Sequence, residues 1–216
     1  MTTVKCWKCG AMVAAGDLCP SCGELQPFHE KTDHFALFGL PRKLALDLGA
    51  LEGDFHALSR KFHPDFYQTR GSRARAVSLE NSARLNVAYR TLRDPITRVE
   101  YLLELEGLPV GTPSNPPAEL FEEILELQEA RQEYRAKGDP ELRDRLQASL
   151  LELESRKAAL EEELSGLFVE WDRRLDSKGE PGDECRKLLE RMRGVLATRA
   201  YLRTVLRDLT EDLKGT

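Results

Sequence analysis

Lys61–Gln68 reads KFHPDFYQ, an imidazole and a carboxylate on either side of a proline, directly after a run with helical periodicity. Upstream, Asp47 can cap a helix from Leu48 to about Phe62, with Phe55, Leu58 and Phe62 on one face, and Pro64 ends it. Downstream, a polar loop through QTRGSR leads into a helix from about Ser72 to Leu92, whose stripe is Val77, Leu85, Ala88, Tyr89 and Leu92. Asp33 can cap a short preceding helix, HFALFG, which stops at Gly39 and Pro41. Two antiparallel helices with a short helix packed across them account for every apolar stripe in this region. His63, Pro64 and Asp65 then lie at an exposed tip. An enzyme site needs a nucleophile or second carboxylate in a water-excluding cleft. A proline between the two side chains restricts the backbone so that they need not meet. The segment reads as a surface offered to another protein.

The amino-terminal stretch CWKCGAMVAAGDLCPSCG places Cys6, Cys9, Cys19 and Cys22 as C-x2-C-x9-C-x2-C, each pair followed by a glycine, Gly10 or Gly23. Two intervening residues let both thiolates bend round one ion, and the glycine permits the positive-φ turn that frees backbone N–H groups to face sulfur. A segment this short has no apolar core of its own, so metal binding contributes most of its folding free energy. Four thiolates leave no open position for water, which makes the expected zinc structural. An iron centre with the same ligand set and a redox dithiol pair are the competing readings. Cys185 stands apart on an expected helix as a half-buried apolar side chain.

GLPVGTPSNPPAE is the clearest linker, and Asn115 with Pro116 makes a good helix start. Three helices are expected after it. The first runs from about Pro117 to Lys137. The second starts with Asp139 as cap and Pro140 in the first position. It continues to about Ser177 with the stripe Leu142, Leu146, Leu150, Leu153, Leu160, Leu164, Leu167 and Trp171. The third runs from Asp183 to about Leu213. Short turns between long helices favour a three-helix bundle. The expected class is all-α, with a small zinc-ribbon-like module at residues 1–30, a helical hairpin domain at 31–108, a linker at 109–116 and the bundle at 117–216.

The 216 residues carry 32 basic and 37 acidic side chains, a net charge of −5. That balance points neither to nucleic-acid binding nor to a polybasic membrane anchor. No apolar run approaches the roughly 20 residues that cross a bilayer. MTTVKCWKCG lacks a signal-peptide core, and ligands starting at position six leave no room for a transit peptide in the chain as given. Paired cysteines fit a reducing compartment. The expectation is a soluble cytoplasmic protein, mitochondrial only if a transit peptide is missing from this chain. No G-x4-G-K, no G-x-S-x-G elbow and no histidine cluster suited to a catalytic metal is found, so no enzyme is expected.

The stretch from about His34 to Glu106, through FALFGL, FHALSRKFHPDF and LNVAYRTLRDPITRVEYLLELEG, resembles the J domain, the module that stimulates ATP hydrolysis by DnaK-type chaperones. His63, Pro64 and Asp65 match that family's invariant tripeptide. The resemblance implies that Arg60 and Lys61 meet an acidic surface on the chaperone. The residues from Arg60 to Arg93 independently carry far more arginine and lysine than acid, an excess suited to steering an acidic partner. RDPITRVEYLLELEG, the short DHFALFGLP opening, the absence of a Gly/Phe-rich linker and the carboxy-terminal helices resemble the HscB family, the J-proteins of iron–sulfur cluster biogenesis. Some of its members, notably those of animals, also have the four-cysteine module. The resemblance implies partners: a DnaK/HscA-type chaperone and the IscU-type cluster scaffold. It implies scaffold contacts at Phe121, Leu125, Glu126, Glu129 and Tyr201. Glu122 departs from the family, which usually has methionine there, and this keeps open an adaptor for a different client.

Overall fold

The computed structural model describes residues 3–111, 120–177 and 183–214. The chain forms two compact units, Met1–Arg98 and Val99–Thr216. The first opens on a hairpin in which β1 (Thr3–Lys5) pairs antiparallel with β2 (Met12–Ala14), Val4 opposite Val13. Then come α1 (His34–Leu37), α2 (Leu48–Phe62), a single 3-10 turn (Pro64–Tyr67) and α3 (Ser72–Arg93). The expected caps form: Asp33 accepts from the Ala36 N–H at 2.8 Å and Asp47 from the Ala50 N–H at 3.0 Å, satisfying donors with no partner inside the helix.

The core of this unit holds Phe35, Leu51, Phe62, Ala74, Val77, Leu85, Ala88 and Leu92. Phe55 and Leu58 of the expected α2 stripe are only half-buried. Helices that meet along one line bury the centre of a stripe and leave its edges partly wet. Phe55 compensates by stacking on Tyr89, with centroids 4.2 Å apart. The buried face of α3 also holds two polar residues, Ser78 and Asn81.

Helix α4 (Pro95–Leu105), across which the division between the units falls, was not among the helices expected from periodicity. Its start is nonetheless conventional. Asp94 accepts from the Ile96 and Thr97 N–H groups, both at 2.9 Å, and Pro95 takes the first position. The buried Arg98 guanidinium donates to the carbonyls of Leu92 at 2.6 Å and Arg93 at 3.3 Å, closing the end of α3, and to the Leu44 carbonyl in the segment before α2.

In the second unit, α5 (Phe121–Lys137), α6 (Pro140–Asp176) and α7 (Asp183–Lys214) form the expected bundle. Gly138, at φ +65°, ends α5, and Asp139 caps α6 by accepting from the Glu141 N–H at 2.9 Å. Ile124, Leu127, Ala130 and Tyr134 pack with Leu146 and Leu153 and with Leu202, Val205, Leu206 and Leu209. Helix α5 therefore meets the first half of α6 and the last half of α7. Asp212, whose side chain is 5% exposed, takes hydrogen bonds from Arg131 at 2.6 Å and from Arg135 at 2.7 Å, tying α7 to α5. Burial works to raise this carboxyl's pKa, but the two guanidinium groups hold it below the usual range. The helix start expected at Asn115 and Pro116, and most of the linker, lie outside the described residues.

Candidate functional site

The amino-terminal module is two knuckles facing each other. In the first, the Gly10 N–H returns to the Cys6 carbonyl at 3.0 Å. In the second, the Gly23 N–H returns to the Cys19 carbonyl at 2.8 Å. Both glycines have positive φ, +77° and +71°. The turns gather all four cysteine sulfurs within 4.8 Å of one another, with Cys6–Cys22 at 3.6 Å and Cys9–Cys19 at 3.5 Å. A tetrahedral ion with metal–sulfur bonds of about 2.3 Å puts its ligands about 3.8 Å apart, so the cage fits such an ion. The Lys8 N–H, at 3.4 Å, and the Gln26 side-chain amide, at 3.3 Å, both point at the Cys6 sulfur. Burial pushes the Cys6 thiol up, yet the Cys9 and Lys8 N–H groups and neighbouring thiols bring it down to about 6. The Glu24 N–H favours the Cys22 thiolate, but burial and the other three sulfurs push that thiol up to about 12. Four thiolates in so small a space would repel one another, and a bound dication would let all four stay ionised. Among the described residues, the apolar side chains clustered with these cysteines are Val13, Val4 and Ala11, too little to fold the knuckles alone.

At the tip, α2 ends on Phe62 and the 3-10 turn begins at Pro64. His63 and Asp65 are open to water, with side chains 53% and 69% exposed. They do approach each other. The Asp65 N–H donates to His63 Nδ1 at 3.3 Å, and that nitrogen lies 3.5 Å from Asp65 Oδ2. Asp65 also accepts from Gln68 Nε2 at 2.9 Å. The turn is pinned from beneath by Tyr67, which is buried and donates its hydroxyl to the Lys61 carbonyl at 2.9 Å. Phe66, 64% exposed, lies beside the His63 ring, centroids 6.0 Å apart. Both side chains are open to contact from another molecule. Arg60 is exposed, whereas Lys61 is already paired, its ammonium 2.6 Å from Asp17 of the metal module. That contact holds the Asp17 carboxyl below its ordinary pKa.

On the bundle, Phe121 and Leu125 are 54% and 48% exposed and lie outside the core. The buried side of α5 is Ile124, Leu127, Ala130 and Tyr134, so at about 100° per residue Phe121, Leu125 and Glu129 follow one another across its outer face. Tyr201 is half-buried at one edge, where it joins Ile124 and Gln128 in lining a groove between α5 and α7 of about 260 Å³. Glu126 lies at the other edge, 3.7 Å from Arg145 of α6. The structure therefore aligns Tyr201, Phe121, Leu125 and Glu129 along one side, with Glu126 turned toward α6. Glu122 is exposed on the same helix.

A co-chaperone protein HscB homolog of Bordetella pertussis is 40% identical over 141 residues, which cover 64% of this chain and 79% of that protein. The chain belongs to the HscB co-chaperone family. An iron-sulfur cluster co-chaperone protein HscB homolog of Arabidopsis thaliana is 38% identical over 128 residues, and an HscB homolog of Vibrio cholerae is 39% identical over 112 residues. The matched region spans 50% of the plant protein and 65% of the Vibrio one. The crystal structure of human co-chaperone protein HscB superposes with a TM-score of 0.69 at 24% identity, covering 99% of this chain and all of that one. The likeness of fold thus takes in the cysteine module. Chaperone HscB from Vibrio cholerae gives a TM-score of 0.55 at 26% identity over 83% of this chain and 96% of that one. No protein-family model matches the chain.

Sequence reasoning missed the residues that seat the tip. Ser78 and Ser82 of α3 donate their hydroxyls to the Phe62 carbonyl, at 2.6 and 3.0 Å, where α2 has no further turn to supply a donor. Two serines one turn apart, flanking Asn81 on a face of α3 whose other buried residues are apolar, were the available signal.

Proposed function

We propose that this HscB-family chain is a two-ended co-chaperone for iron–sulfur cluster assembly. One end, the turn His63–Pro64–Asp65 with Arg60 and Lys61, engages a DnaK/HscA-type chaperone and stimulates its ATPase. The other, Phe121, Leu125, Glu126, Glu129 and Tyr201, holds an IscU-type scaffold. The chain makes and breaks no bonds itself. The observation that carries the reading is the exposed, pinned His-Pro-Asp turn in a family whose curated members are named as co-chaperones. Asp65 pairs with a cation on the chaperone, His63 hydrogen-bonds at the same junction and Pro64 holds them in place. Cys6, Cys9, Cys19 and Cys22 hold a structural zinc ion, and cysteines used in two metal-spaced pairs suit a reducing compartment such as the cytoplasm.

The test is the steady-state ATPase of a DnaK-type chaperone with this chain, with scaffold, and with both. The expected result is stimulation by the chain that rises more than additively when scaffold is added. Stimulation indifferent to scaffold would favour an adaptor for another client, the reading that Glu122 keeps open. No stimulation in any mixture would remove the co-chaperone reading.

A further inference from the structure

The four-cysteine module does not hang free of the helical hairpin. Asn81, fully buried on α3, spends both halves of its amide on the segment that follows the second knuckle. Its oxygen accepts from the Phe28 N–H at 3.2 Å and its nitrogen donates to the Gln26 carbonyl at 2.9 Å. Gln26, also fully buried, donates to the Cys6 sulfur at 3.3 Å and accepts from the Trp7 N–H at 3.1 Å. Arg84 fastens the same segment by donating to the carbonyls of Phe28, His29 and Thr32, at 3.2, 3.1 and 3.1 Å. Arg70, just past the tip, donates to the Gly23 carbonyl at 3.2 Å.

Phe28 completes the link. Its ring meets the Phe62 ring edge-on, with centroids 5.3 Å apart, and Phe62 is the residue before His63. Gly16 makes room for that ring: at φ +76°, a Cβ there would stand 2.3 Å from two Phe28 ring carbons. Phe62 is thus gripped on its carbonyl by α3 serines and on its ring by the metal module.

We propose that metal loading of the module sets the geometry of the His63–Pro64–Asp65 turn, with Gln26, Phe28 and Asn81 as the positioning residues that carry the coupling. This rests on the reading of that turn as the chaperone contact. The module has almost no apolar core, so without an ion its knuckles lose their organising centre. Gln26 then loses the Cys6 and Trp7 anchors, and the segment through Phe28 comes away. Asn81 is left with a buried amide that has no partner, a penalty that makes the interface detach as a whole. Phe62 loses half of its grip, and the turn that starts one residue later loses its fixed seat.

The experiment compares the full chain loaded with zinc, stripped by a chelator and reloaded, by hydrogen exchange. On stripping, amides of residues 62–68 and 78–85 should exchange about tenfold faster or more, recover on reloading, and leave α5–α7 unchanged as the internal control. In the zinc-loaded chain, Asn81→Ala should retain zinc and loosen the same amides. It should raise the concentration for half-maximal ATPase stimulation while the maximum stays the same. Phe28→Ala should behave alike and Phe28→Leu should restore most of the effect, a pair that serves if Asn81→Ala does not fold. Unchanged exchange at 62–68 on stripping, or wild-type half-maximal concentrations in both Asn81→Ala and Phe28→Ala, would overturn the coupling. If the wild-type chain itself fails to stimulate any chaperone, the functional reading fails and the exchange result still decides the mechanical link.

Discussion

The tip of the hairpin and the outer face of α5 are both exposed, but they are seated in different ways. The tip is a non-repetitive turn whose shape comes from groups distant in sequence: Tyr67 beneath it, Ser78 and Ser82 behind it, and Phe28 from the metal module beside it. The α5 face is a regular helix whose outward side chains are presented by the helical repeat alone. A turn held by tertiary contacts can be disabled without touching its own residues. A helical face is disabled by changing its side chains, and little else reaches it.

The largest effect is expected where side chains themselves are the surface. Replacing Phe121, Leu125 and Tyr201 together by alanine should weaken scaffold binding by about a hundredfold, near 3 kcal/mol, as for truncation of an apolar anchor cluster. Phe121 and Leu125 lie outside the core, so helix content should be kept, and basal ATPase stimulation should stay at the wild-type level. Isothermal titration with an IscU-type scaffold reads the first, and an ATPase assay without scaffold the second.

A smaller effect separates seat from surface. Asp212→Asn leaves Arg131 and Arg135 without their carboxylate and should cost the bundle about 1–3 kcal/mol, read as a lower denaturation midpoint. Scaffold affinity of the folded variant should match wild type. The Asp212 carboxyl is held below its ordinary pKa in the folded chain, so the unfolded chain binds the proton more readily. Its contribution is complete above an unfolded pKa of about 4 and is lost as pH falls through the folded value. Wild type should therefore lose stability more steeply than Asp212→Asn in that acid range, a difference that denaturation at several pH values measures. Equal slopes would mean that the ion pair contributes nothing.

The sequence was informative where structure follows from local rules. The caps Asp33, Asp47 and Asp139 work through hydrogen bonds within a few residues, and they form where the pattern puts them. Of the expected α6 stripe, Leu146, Leu153, Leu164, Leu167 and Trp171 are buried, and Leu142, Leu150 and Leu160 are half-buried at its edges. The cysteine spacing already implied one cage. What stayed hidden depends on distant partners. Asn81 looks like a flaw in an apolar stripe until Gln26 and Phe28, more than fifty residues away, are seen to use its amide. Lys61 belonged to the expected basic face, and nothing local foretold that Asp17 would already hold its ammonium. Arg131 and Arg135, one helical turn apart on α5, meet an Asp212 on α7 that no periodicity connects to them.

The most direct measurement is the ATPase rate of a DnaK-type chaperone titrated with the wild-type chain and with His63→Gln, each checked for zinc content, helix content and scaffold binding. A two-ended adaptor predicts that the variant keeps all three properties and loses stimulation. Equal stimulation by both chains would contradict the role given to the tip.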